Sequence, residues 1–92
     1  VSCSAGQNMS LTAKQGGVTI GAKKKLTATA DDDVSITGKK NGLVDMKDKL
    51  VLKCGKASIT LNSNGDIFIK GNNVGVKGSG ECTVKGSKVG AN

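Results

Sequence analysis

The sequence predicts an all-β rod built by repetition, and three observations predict it. Apolar residues fall in pairs two positions apart: Met9/Leu11, Val18/Ile20, Leu26/Ala28, Val34/Ile36, Val44/Met46, Leu50/Leu52, Ile59/Leu61, Ile67/Ile69, Val74/Val76, Cys82/Val84 and Val89/Ala91. A spacing of two puts both members on one face of a strand, and no stretch carries the 3.6-residue spacing of an amphipathic helix. The pairs recur on average every eight residues, which leaves room for one short strand and one turn per step. Finally, the chain has 14 Gly, a single aromatic (Phe68) and no Trp, Tyr or Pro, a composition suited to thin, sharply turning walls.

The first zone, residues 1–38, carries Thr/Ser/Ala-rich beats such as Val18-Thr19-Ile20-Gly21-Ala22. The second, residues 39–56, is the least regular and predicts a longer turn or bulge around Lys39-Lys40-Asn41-Gly42. Asp45 to Leu52 is the nearest approach to a helix, and it lacks a capping signal. From Ser58 onward the beat is clean, and Lys-Gly follows the second apolar member at Lys70-Gly71, Lys77-Gly78 and Lys85-Gly86. By alternation such a Lys faces solvent, and the Gly is expected to supply the corner through a backbone conformation other residues resist. Asn62-Ser63-Asn64-Gly65-Asp66 is the strongest turn signal in the chain.

The chain is read as one needle segment spanning 1–92. With 36% hydrophobic residues in 92, it lacks the bulk to fill a core alone. Disulfides do not offer a remedy, because three widely separated cysteines (Cys3, Cys54, Cys82) make no framework. With His absent, the common zinc sites are absent as well. Oligomerisation remains. One chain coiling alone would leave both ends of a short core open. Three intertwined chains instead enclose one narrow dry axis, in a homotrimeric triple-stranded β-helix on the order of 50 Å long at about 4.8 Å per step. The expected core is Leu50, Leu52, Ile59, Leu61, Ile67, Ile69, Val74, Val76, Cys82 and Val84. A non-mechanical, monomeric β-solenoid binding module is the alternative. The opening at Val1, without Met, is read as a processed chain or a segment of a longer one, and unpaired cysteines favour a reducing compartment.

The run from Cys54-Gly55-Lys56-Ala57-Ser58-Ile59-Thr60-Leu61 through Asn62-Ser63-Asn64-Gly65-Asp66-Ile67-Phe68-Ile69-Lys70-Gly71 resembles the C-terminal needle of the VgrG family. These are the valine-glycine-repeat spike proteins of bacterial type VI secretion. Val76-Lys77-Gly78-Ser79-Gly80 and Val84-Lys85-Gly86-Ser87 continue the pattern. The resemblance covers residues 50–92 well and residues 1–49 loosely. It implies a membrane-puncturing spike related to those of contractile-tailed phages, assembled in the bacterial cytoplasm and expelled outside or into a target cell. It also implies a PAAR-repeat tip protein or effector at the C-terminal end. The residues expected to meet that tip are Val89, Gly90, Ala91 and Asn92, where strand edges and an apolar cross-section are left open.

Other chemistries find little purchase. Asp31-Asp32-Asp33 reads as a solvated turn rather than a cation site, and Asn62 to Asp66 lacks the repeated Gly-Gly-x-Gly context of a calcium-binding turn. Cys54 and Cys82 fall in phase with the inward positions and read as small apolar fillers. Phe68, between Ile67 and Ile69, is expected to face outward. The +7 net charge comes from 14 Lys without Arg, and with stacking aromatics missing it suits a soluble shaft better than specific nucleic-acid binding. A His-dependent triad is impossible here, and there is no phosphate-cradling Gly-x4-Gly-Lys-Ser/Thr motif. No enzyme activity, cofactor or metal is expected.

Overall fold

In the computed structural model the described residues run from 4 to 91, and the chain divides into two units, Val1–Lys39 and Lys40–Asn92. The described part of the first unit carries no strand, and its apolar side chains, among them Leu11, Ile20, Leu26 and Val34, are exposed.

The second unit holds three strands, β1 (Lys49–Cys54), β2 (Ala57–Asn62) and β3 (Ile67–Lys70). They form one antiparallel sheet in the order β1-β2-β3, a meander in which each strand pairs with its neighbour in sequence. The described residues are thus all-β, with no helix. The nearest helix candidate, Asp45 to Leu52, instead runs into β1.

Two turns of different chemistry fold this meander. Cys54 pairs with Ala57, which leaves Gly55-Lys56 as a two-residue loop. Gly55 takes φ +57 and Lys56 keeps a negative φ, as a type II′ hairpin turn with Gly first requires. Between β2 and β3 the Asn62 N–H donates to the Asp66 carbonyl at 2.9 Å and the Gly65 N–H to the Asn62 carbonyl at 3.0 Å. Gly65 sits at φ +102, so Ser63-Asn64-Gly65 is a three-residue loop that ends on a residue with positive φ. The Asn64 side chain locks the exit: its Oδ1 accepts from the Asp66 N–H at 3.2 Å and its Nδ2 donates to Asp66 Oδ2 at 3.1 Å. A further bond, from the Ser63 N–H to the Asp48 carbonyl at 3.0 Å, ties the far end of β2 to the entry of β1.

The Lys-Gly steps work otherwise than the sequence suggests. Among the described residues only Gly55 and Gly65 have positive φ, so Gly71, Gly78 and Gly86 do not turn the chain through a left-handed conformation. At Gly78 the reason for glycine is space: a Cβ there would lie 2.8 Å from the Glu81 carbonyl oxygen. The corner is made by backbone folding back on itself within three residues, which any side chain would obstruct.

Candidate functional site

The register sorts the sheet into two faces. Leu50 pairs with Leu61 and Leu52 with Ile59, while Ile59 also pairs with Ile69 and Leu61 with Ile67. Cys54 and Ala57, themselves a pair, continue the same face. Eight positions across three strands therefore form one face without a single polar side chain. The other face carries Lys49, Val51 and Lys53 from β1, Ser58, Thr60 and Asn62 from β2, and Phe68 and Lys70 from β3.

Neither face is covered: on the polar side Lys49, Val51, Lys53, Phe68 and Lys70 are exposed, and on the apolar side only Leu50 is half-buried. Along β2 the polar Ser58, Thr60 and Asn62 are half-buried, whereas the apolar Ile59 and Leu61 between them are 39% and 37% exposed. Leu52, Ile67 and Ile69 are more open still, at 57%, 61% and 64%. No described residue of the single chain is fully buried, so the sheet presents an apolar surface without a core behind it. Full burial of a Leu or Ile is worth roughly 1.5–3 kcal/mol, so six such side chains left half open forgo on the order of 5–9 kcal/mol per chain. That is as large as the whole folding stability of a small domain, at roughly 5–15 kcal/mol.

Of the expected core, Leu50, Leu52, Ile59, Leu61, Ile67 and Ile69 come together here. Val74 reaches the rim, where the chain after β3 passes the sheet and leaves a depression of about 520 Å³ lined by Leu52, Cys54, Ile59, Ile69 and Val74. Val76, Cys82 and Val84 lie in segments without strand structure and are exposed, so the single chain does not bring them to the apolar face. Cys54 lies on that face in phase with Leu50 and Leu52, but it is an exposed free thiol, so the single chain does not bury it as a filler. Phe68 lies opposite Thr60 on the polar face and is 59% exposed.

Val89, Gly90 and Ala91 are exposed, while Asn92, the fourth residue of the expected tip contact, lies outside the described residues, as does Cys3. Asp31, Asp32 and Asp33 are exposed in the first unit. In the Asn62–Asp66 loop the Asn64 and Asp66 side chains are engaged with each other and with the turn backbone.

Sequence reasoning missed the tight Gly55-Lys56 hairpin, and with it the alignment of Lys53, Ser58 and Lys70 in one cross-strand row. The available signal was two alternating runs separated by two residues with Gly first. No family model matches the chain, and neither the curated proteins nor the solved structures supply a match.

Proposed function

We propose that this chain is a segment of a homotrimeric, triple-stranded β-helical needle of the VgrG kind, the membrane-puncturing spike of a bacterial contractile injection machine. The observation that supports it is the all-apolar sheet face around Ile59 and Leu61, eight positions without a polar side chain and without a buried residue behind them in the single chain. Three copies that turn this face to a common axis hide it and leave the lysines of the other face in water. Interleaving of the copies closes the free edges of β1 and β3, which otherwise invite unwanted pairing.

The mechanism of such a part is stiffness. A copy wound among two others leaves only by unthreading, so its lifetime is governed by a high unfolding barrier rather than by equilibrium alone. The machine supplies the force and the needle carries it to the target membrane. The C-terminal end, with Val89, Gly90, Ala91 and Asn92, serves as the platform for a PAAR-repeat tip protein or effector. In a trimer, open strand ends formed there suit β-augmentation or docking of a cap.

Electron microscopy of the purified chain, combined with electrophoresis without boiling, tests the needle. Narrow rods that migrate as one detergent-resistant species are expected; round particles that dissociate at once in detergent contradict it. For the tip, loss of PAAR binding on deletion of residues 87–92 is expected, and unimpaired binding overturns that assignment.

A further inference from the structure

We infer that the hairpin end of the polar face is a binding site for a phosphate-class oxyanion, formed by Lys53, Lys56 and Lys70 around Ser58 and Asn72. The register makes the row: Lys53 pairs with Ser58 and Ser58 with Lys70, so two lysines flank one hydroxyl on the same face, two strand spacings or about 10 Å apart at their Cα atoms. Lys56 stands in the two-residue turn just beyond. Together with Asn72 they line a depression of about 500 Å³ that contains no acidic side chain.

Charge on this sheet is segregated along the strands. Its nearest acids in sequence, Asp48 and Asp66, sit at the opposite end, where the Asn62–Asp66 turn and the entry to β1 meet. Lys70 is four residues of extended chain from Asp66, about 13 Å, and Lys53 is five from Asp48, about 16 Å. Both distances exceed the roughly 8 Å screening length of physiological salt, so the carboxylates do not neutralise the lysines. Among the described residues none of the three lysines makes an ion pair, and the Ser58 hydroxyl makes no hydrogen bond.

Ammonium groups that line one depression without a nearby carboxylate repel one another, and an anion placed among them relieves that repulsion. A tetrahedral oxyanion suits the set because it offers several acceptors at once, and lysine, hydroxyl and amide groups are all donors. The absence of Arg favours point-charge binding of phosphate over bidentate recognition of a planar carboxylate. Either a lipid headgroup or a free phosphate presents this chemistry. The site needs only one chain, so it stands independently of the trimeric reading.

The test titrates the full chain with inorganic phosphate by calorimetry at physiological ionic strength and, in parallel, floats it with vesicles of phosphatidylcholine with or without phosphatidylglycerol. The triple variant Lys53→Gln, Lys56→Gln, Lys70→Gln is compared with the charge-matched control Lys23→Gln, Lys24→Gln, Lys25→Gln. Saturable phosphate binding that weakens by at least about tenfold in the first variant and holds in the control is expected, since each charge-assisted bond contributes on the order of a kilocalorie or more. Co-flotation that needs phosphatidylglycerol and is lost in the same variant identifies the source as lipid; phosphate binding without flotation identifies a free ion. Equal weakening in both variants, or no saturable binding, overturns the site and shows the lysines to be diffuse solubilising charge. Sedimentation of each protein alongside keeps the two readings apart: a trimer that ignores phosphate defeats only the site, and a monomer that binds it defeats only the needle.

Discussion

Residues 49–70 and 71–91 belong to one unit and share one apolar beat, yet only the first stretch builds a sheet within the chain. Ile59/Leu61 and Ile67/Ile69 lie on paired strands, whereas Val74/Val76, Cys82/Val84 and Val89/Ala91 do not. The difference lies in the turns. Gly55 at φ +57 and Gly65 at φ +102 reverse the chain onto itself, and Asn64 pins the second reversal with two side-chain bonds. Beyond Lys70 the Lys-Gly steps have no residue in that conformation, and Gly78 instead permits a close backbone approach to Glu81. Period-two patterning chooses which side chains share a face, and turn chemistry chooses which strand lies alongside. Under the needle reading, the partners of the later beats are the other two copies.

The comparison can be broken most forcefully at the centre of the apolar face. Under the needle reading, Ile59→Asp sets three carboxylates around a dry axis, at a cost of several kcal/mol for each one left unpaired. Sedimentation should then find only single chains, and an oligomer of unchanged mass would remove Ile59 from the shared core.

A smaller effect separates the two kinds of glycine. Gly55→Val forces a β-branched residue into positive φ and should cost about 1–3 kcal/mol. Gly75→Ala, with open space around its Cβ position and no positive φ, should stay within about 0.5 kcal/mol. Denaturant unfolding followed by circular dichroism measures both, and equal losses would mean that the hairpin turn is not what closes the sheet.

Smaller again is Asn64→Ala, which deletes both bonds to Asp66 at an exposed loop and should cost about 1 kcal/mol. The same measurement reads it, and a neutral outcome would assign the loop's geometry to Gly65 alone. Cys54→Ala should matter least, below about 1 kcal/mol, if the thiol only fills space beside Ala57. A change in metal content or in oligomer mass would give that thiol a further role.

The face itself was legible in the residues. Leu50, Leu52, Ile59, Leu61, Ile67 and Ile69 share the apolar face because alternation is a property of the extended backbone, and any register that pairs them keeps it. Pairing was not legible, because a strand that doubles back and a strand that turns a corner keep the same period of two. The stretch 39–56 looked irregular, yet its second half is the six-residue β1 and the tightest turn, Gly55-Lys56, whose hairpin depends on a pairing that the period of two does not specify. The Lys53-Ser58-Lys70 row followed from that pairing and was equally hidden. Val76, Cys82 and Val84 carry the apolar phase, but phase alone does not bring them to a neighbour within one chain.

Sedimentation equilibrium of the full chain at low micromolar concentration bears most directly on whether copies of this chain cover its apolar face. A single species of three times the 9.2 kDa chain mass, unchanged on dilution, is the result that three faces closed on one axis require. A folded, β-rich species of one chain mass would contradict it, for it would show that Ile59, Leu61 and their neighbours are tolerated in water without a partner.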